Sequence, residues 1–146
     1  MLDVDIARLV RSGQVEESRA DRVLWLWDEI RRLKRDKNAF VPAHNYQVPE
    51  VQVIADTVGD SFELAVRARD VKARLVVFCG VRFMAEGCYT LAPDVPVYLP
   101  NQQALCSLAE MDADDLEERQ AFLRSLGRKF ATMTYVNTYA SVKALS

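Results

Sequence analysis

From Ser18 to Asp36 the apolar residues Val23, Leu24, Leu26, Trp27, Ile30 and Leu33 recur at helical spacing with charged residues between them, which predicts an amphipathic helix. A weaker helical pattern precedes it from Val4 to Val10 and ends near Gly13. After the basic run Arg31-Arg32-Leu33-Lys34-Arg35 the period changes, and Asn38 to Ala43 reads as a short buried strand whose Pro42 cannot donate to a ladder. A helix is predicted from Pro49 to Val58, with Val51, Ile54, Ala55 and Val58 on one face. Gly59 ends it, and Asp60 with Glu63 three residues later forms a capping box for the next helix. Arg74 to Cys79 is a valine-rich apolar run, as expected of a strand covered on both faces. There follow a helical stretch from Val81 to Leu91, a strand at Val95 to Leu99 among three prolines, and an acidic helix from about Asp114 to Leu126. A strand from Phe130 to Tyr135 and a helix from near Tyr139 complete the chain.

Strands that alternate with helices predict an α/β domain with a parallel sheet, right-handed crossovers and helices on both faces. The strands fall near 38–43, 75–79, 95–99 and 131–135. A chain of 146 residues, 50% hydrophobic and 27% charged, suits one globular domain with a sizeable core. Its 19 basic and 21 acidic residues are well mixed, so no basic face exists to neutralise a phosphate backbone, and nucleic acid is a poor partner. Apolar runs such as Leu75 to Cys79 are too short to span a bilayer, and Met1 to Asp5 lacks the basic start of a signal peptide. The expected location is cytoplasmic, with no membrane partner. Cys79, Cys88 and Cys106 suit neither a disulfide framework nor a CxxC zinc site, and read as free thiols.

In open parallel α/β sheets ligands bind beyond the carboxyl ends of the strands. The residues there are polar: His44-Asn45-Tyr46-Gln47, Cys79-Gly80, Asn101-Gln102-Gln103 leading to Cys106, and Tyr135-Val136-Asn137-Thr138. The one histidine thus shares a predicted rim with Tyr46, Tyr135, Asn137 and Cys106. His44 is either a hydrogen-bonded loop residue or an acid–base and phosphate-contacting group. Tyr46 and Tyr135 alone would be ordinary rim aromatics. Cys79 and Cys88 read as buried structural thiols, whereas Cys106 lies in a polar loop beside Ser107. Asp60-Ser61 is a helix cap, and the helix start it caps is also a natural place for an anion.

Six segments, in order, resemble the N-terminal domain of the quinolinate synthase family. They are Ala43-His44-Asn45-Tyr46-Gln47, Pro49-Glu50-Val51-Gln52 through Ala55-Asp56, and Val58-Gly59-Asp60-Ser61 with Glu63-Leu64-Ala65. They continue with Val77-Phe78-Cys79-Gly80-Val81 and Phe83-Met84-Ala85-Glu86, Leu105-Cys106-Ser107-Leu108-Ala109, and Thr134-Tyr135-Val136-Asn137-Thr138. The resemblance runs from about residue 30 to the end. It implies a three-layer α-β-α domain, the first of three similar domains around a pseudo-threefold axis. Residues 1–128, including N-terminal helices over 1–37, would form that domain, and 129–146 would begin the second.

The resemblance further implies an enzyme that condenses iminoaspartate with dihydroxyacetone phosphate to quinolinate, in the building of NAD. A [4Fe–4S] cluster is held by one cysteine from each domain, here Cys106, with one iron open to substrate. His44 and Tyr46 would contact the triose phosphate and assist proton transfer. Ser61 would bind a carboxylate or phosphate oxygen, and Tyr135 and Asn137 would orient the dicarboxylate. The implied partners are the second and third domains, in cis or in trans, and an aspartate-oxidising enzyme that supplies iminoaspartate. One cysteine cannot hold a cluster that needs three, so the chain alone is expected to be inactive. The alternative expectation is a stand-alone α/β binding module for a sugar phosphate or dicarboxylate.

Overall fold

The computed structural model describes residues 2–109 and 111–146. Three helices come early: α1 (Leu2–Arg11), α2 (Ala20–Lys37) and, after two strands, α3 (Pro49–Ile54). The strands β1 (Ala39–Phe40), β2 (Pro42–His44) and β3 (Thr57–Gly59) surround α3, and α4 (Ser61–Asp70) leads to β4 (Leu75–Val77). The order continues with α5 (Arg82–Leu91), β5 (Val97–Tyr98), α6 (Ala113–Ser125) and the short α7 (Ala140–Lys143).

Asn38 ends α2 in the left-handed region, φ 48°, a conformation its short polar side chain tolerates better than most. Its amide nitrogen Nδ2 donates to Lys72 O at 3.1 Å and its own carbonyl accepts from Arg74 N at 2.9 Å, so the helix stop also fixes where β1 meets β4. Every strand pair is parallel: Ala39 and Phe40 against Leu75 and Val76, Val76 and Val77 against Val97 and Tyr98, and Pro42 to His44 against Thr57 to Gly59. A bridge between Ala43 and Cys79 joins the two ladders, with His44 N donating to Cys79 O and Cys79 N to Pro42 O, each at 2.9 Å. The spatial order is therefore β3, then β2 with β1, then β4, then β5. Pro42 sits inside the sheet because its carbonyl supplies that bond.

The expected strand at 38–43 is thus two, broken at Val41, which pairs with Asp56 instead. Val41 N donates to Asp56 Oδ2 at 2.7 Å, and Asp56 N donates to Val41 O at 2.8 Å. Lys34 on α2 completes the knot, its Nζ 2.8 Å from both Asp56 Oδ1 and Ile54 O. This knot stops α3 at Ile54, so the helix expected to run to Val58 is short and its last residues form β3. The strand expected at 130–135 is also absent: Phe130 to Tyr135 carries no strand, and Met133 is 94% exposed. Alternating Thr132 and Thr134 with apolar neighbours mimics a strand pattern, but no strand among the described residues pairs with the segment.

Two apolar clusters bury the helices. Phe40, Leu64, Ala65, Ala68, Val76, Phe78, Phe83, Met84 and Cys88 join the sheet to α4 and α5, and Phe78 is 0% exposed. Ile6, Leu9, Val15, Val23, Trp27 and Ile54 join α1, α2 and α3, with Trp27 Nε1 donating to Glu50 O at 2.7 Å. The result is a three-layer α/β domain built on a short parallel sheet, as the alternating pattern predicts.

Candidate functional site

At the carboxyl ends of β2, β3 and β4 lies a cleft of about 780 Å³. Its lining includes His44, Tyr46, Ser61, Cys106, Tyr135 and Asn137, the six residues to which the resemblance gives a role, while Asn45, Cys79, Asn101 to Gln103 and Thr138 of the predicted rim lie outside it. Each of the six arrives there by a local cause. His44 ends β2 with its backbone N–H held by Cys79 O, and the turn after it is fastened by Gln52, whose Nε2 donates to both Asn45 O and Gln47 O at 2.9 Å. The rings of His44 and Tyr46 meet edge to face, centroids 4.6 Å apart at 81°. Tyr46 is 90% exposed, so it reaches over the cleft rather than packing beneath it.

Ser61 is the first residue of α4. Asp60 caps that helix, its Oδ1 accepting from Phe62 N at 2.9 Å and Glu63 N at 2.8 Å. Those two amides are therefore committed, while the Ser61 hydroxyl can turn to a ligand. It donates to Asn137 Oδ1 at 3.3 Å across the cleft. Burial holds the His44 imidazole below its ordinary value of 6.5, while the charge of Asp60 pulls the other way. At neutral pH the ring is thus uncharged, with one nitrogen to donate and one to accept.

Gly80, just past β4, gives the cleft floor its closeness: a Cβ there would lie 2.9 Å from Phe78 Cε1 and 3.2 Å from Met84 Sδ. Cys106 stands half-buried on a turn tied to α5 through Arg82 N, which donates to Ala104 O at 3.1 Å. The other thiols are elsewhere. Cys88 is 0% exposed in the α4–α5 core, and burial pushes its thiol up to about 11. Cys79 has both backbone groups in the ladder, and burial raises its thiol against the opposing charge of Lys34. Neither lines the cleft. Among the described residues no three His, Cys, Asp or Glu side chains gather as a metal site. The donor set present fits one thiolate ligand, Cys106, and not a whole cage.

The apolar part of the lining, Phe62, Val81, Phe83, Met84, Leu105, Leu108 and Val136, was not singled out from the sequence. Phe83 and Met84 belong to the core, but Phe62, Leu105 and Leu108 are more than half exposed. A helical or loop pattern gives no sign that such residues frame a ligand; only their nearness to Ser61 and Cys106 in the chain hints at it.

The profile of the family described as Quinolinate synthetase A protein matches residues 28–146. The chain belongs to the quinolinate synthase family. It is 50% identical over 127 residues to the quinolinate synthase of Methanoregula boonei, covering 86% of this chain and 41% of that protein. The quinolinate synthases of Pyrobaculum aerophilum and Thermus thermophilus are each 47% identical, over 123 and 121 residues, covering 83% of this chain and 38% of theirs. The chain therefore spans about two fifths of the length of the quinolinate synthases it matches. No helix among the described residues is long and apolar enough to cross a membrane.

Proposed function

We propose that this chain forms one wall of the active site of a quinolinate synthase, which condenses iminoaspartate with dihydroxyacetone phosphate and releases phosphate and water. The observation that carries this reading is the meeting of six family-motif residues in one cleft at the strand ends. In this reading Cys106, half-buried on the cleft, is the single ligand this domain gives to a [4Fe–4S] cluster, with the other two thiolates supplied by parts of the enzyme beyond this chain. When bound, such a cluster supplies an open iron that acts as a Lewis acid on substrate oxygen.

The chain's own residues divide the remaining work. His44, neutral at pH 7, accepts a proton at one ring nitrogen and returns it, as isomerisation of a triose phosphate requires. Tyr46, edge-on to that ring, brings a phenol O–H to the same end of the substrate. Ser61 gives up its long bond to Asn137 and donates to a carboxylate or phosphate oxygen. Asn137 and Tyr135 hold the dicarboxylate from the opposite side, and the apolar frame of Phe62, Leu105 and Leu108 excludes water when covered. The chain alone holds neither cluster nor full cleft, and is inactive by itself.

The test is a pair of measurements. Anaerobic reconstitution of the full-length protein should give one cluster per monomer that Cys106→Ala abolishes, while the 146-residue chain gives none. Titration of the chain with dihydroxyacetone phosphate should shift resonances near His44 and Ser61 with a Kd on the order of millimolar, about −4 kcal/mol. A cluster held stably by the chain through Cys79, Cys88 and Cys106 would overturn the assignment. Tight binding of a sugar phosphate by the chain alone, with no cluster in the full-length protein, would instead favour a stand-alone binding module.

A further inference from the structure

Residues 126–139 carry Tyr135 and Asn137 but form no helix or strand, so side chains decide where the segment lies. We propose that Glu86 on α5 is a positioning residue: it clamps the turn just beyond Asn137 and so sets where Asn137 and Tyr135 stand in the cleft. Glu86 does not itself line that cleft.

The clamp is visible bond by bond. Glu86 Oε2 accepts the backbone N–H of Ala140 at 2.9 Å, and Oε1 accepts from Arg82 Nε at 2.9 Å. The same Arg82 guanidinium lies over the Tyr139 ring, 5.5 Å from its centroid. From the far side Lys143 Nζ donates to Thr138 O at 2.8 Å; burial lowers the pKa of its ammonium, and the charge of Glu86 offsets part of that. Three side chains thus converge on Thr138, Tyr139 and Ala140. In front, the segment meets the domain through the Ser61–Asn137 contact, which at 3.3 Å is long. The bonds behind Asn137 are shorter and charge-assisted, and the Glu86 side chain is only 25% exposed, so they outweigh the bond in front.

A carboxylate that merely paired with Arg82 one turn away on the same helix would add little and would select no substrate. Bridging to Ala140 is different, because it links a rigid core helix to an irregular segment bearing binding groups. A shift of such groups by about 1 Å is enough to cost a large factor in rate or affinity. This inference rests on the proposed function for its kinetic arm, but not for its structural one.

Both arms use the full-length enzyme and the variants Glu86→Ala and Glu86→Gln, with Glu118→Gln on α6 as a control. Glu86→Ala should raise KM for the dicarboxylate about tenfold while KM for the triose phosphate and the cluster absorption stay within about twofold. Glu86→Gln should recover most of that loss, since its amide oxygen still accepts from Ala140 N. Hydrogen exchange of the peptide over 134–141 should speed up in Glu86→Ala and not in Glu118→Gln. Equal rises in both KM values, unchanged KM values, or equal losses in the alanine and glutamine variants would overturn the proposal. If the wild-type enzyme shows no activity on these substrates, the proposed function fails, and unchanged exchange over 134–141 in Glu86→Ala would then overturn the clamp by itself.

Discussion

The α4–α5 side of the sheet and the stretch from Phe122 to Val136 are similar in their supply of large apolar residues and opposite in what they do with them. On the first, Phe78, Leu64, Val76 and Cys88 are each 0% exposed. On the second, Phe122, Leu126, Phe130, Met133, Tyr135 and Val136 all stand in solvent. The first region buries its apolar surface within this chain and carries the stability. The second spends little of it here, which suits a surface that other parts of a longer protein would cover. The proposed site lies along the seam: His44 and Ser61 belong to the packed side, Tyr135 and Asn137 to the open one.

The sharpest way to break this contrast is a matched pair of truncations. Phe78→Ala should cost about 3–5 kcal/mol in denaturant unfolding of the chain, because it leaves a cavity that the sheet cannot collapse into. Met133→Ser should change stability by no more than about 0.5 kcal/mol, the smallest effect of the set. A comparable cost at Met133 would mean the open stretch is folded onto this domain far more firmly than its exposure shows.

Between these lie two tests on the seam. Asp60→Ala should cost about 1 kcal/mol by removing the cap of α4, with Phe62 N and Glu63 N losing their acceptor. It should also move the His44 titration further below 6.5, since the charge of Asp60 is what partly offsets burial. The smaller test is the pH dependence itself. The folded His44 takes up a proton less readily than the unfolded one, so the unfolded chain gains protons first as pH falls. Stability is therefore complete above 6.5 and declines as pH drops through the interval below it, down to the folded value. His44→Gln should flatten that decline, as read from urea midpoints across the same range.

Much of this arrangement is legible in the chain. The valines of Leu75 to Val77 and the Asp60 cap mark β4 and the start of α4, and the polar turn after β2 marks one side of the cleft. What is not legible is any feature settled by a distant side chain. Val51, Ile54, Ala55 and Val58 keep helical period through the end of α3, and only Lys34 and Asp56, reaching Val41 from outside that period, cut the helix and free β3. Phe130 to Tyr135 fails in the opposite sense: the local pattern is that of a strand, but pairing needs an edge, and β5 is two residues long with Pro96 before it and Pro100 soon after. His44 and Cys106 are legible because they follow predicted strands that form, and Ser61 because Asp60 caps its helix; Tyr135 and Asn137 reach the cleft from a segment that is no strand. The clamp at Glu86 is not legible, because it joins positions 54 residues apart that share no motif.

The pairing register described for the sheet also sets a timetable. Every ladder, β2 with β3, β1 with β4 and β4 with β5, closes between Ala39 and Tyr98, although β2, α3, β3 and α4 lie between β1 and its partner β4. The β2–β3 and β4–β5 ladders close single crossovers, whereas β1 must wait for β4 across two strands and two helices, the slower step of a parallel sheet. A ribosome that has released Tyr98 has already released both sides of each ladder, so the floor of the cleft can be finished while the segment bearing Asn137 is still being made.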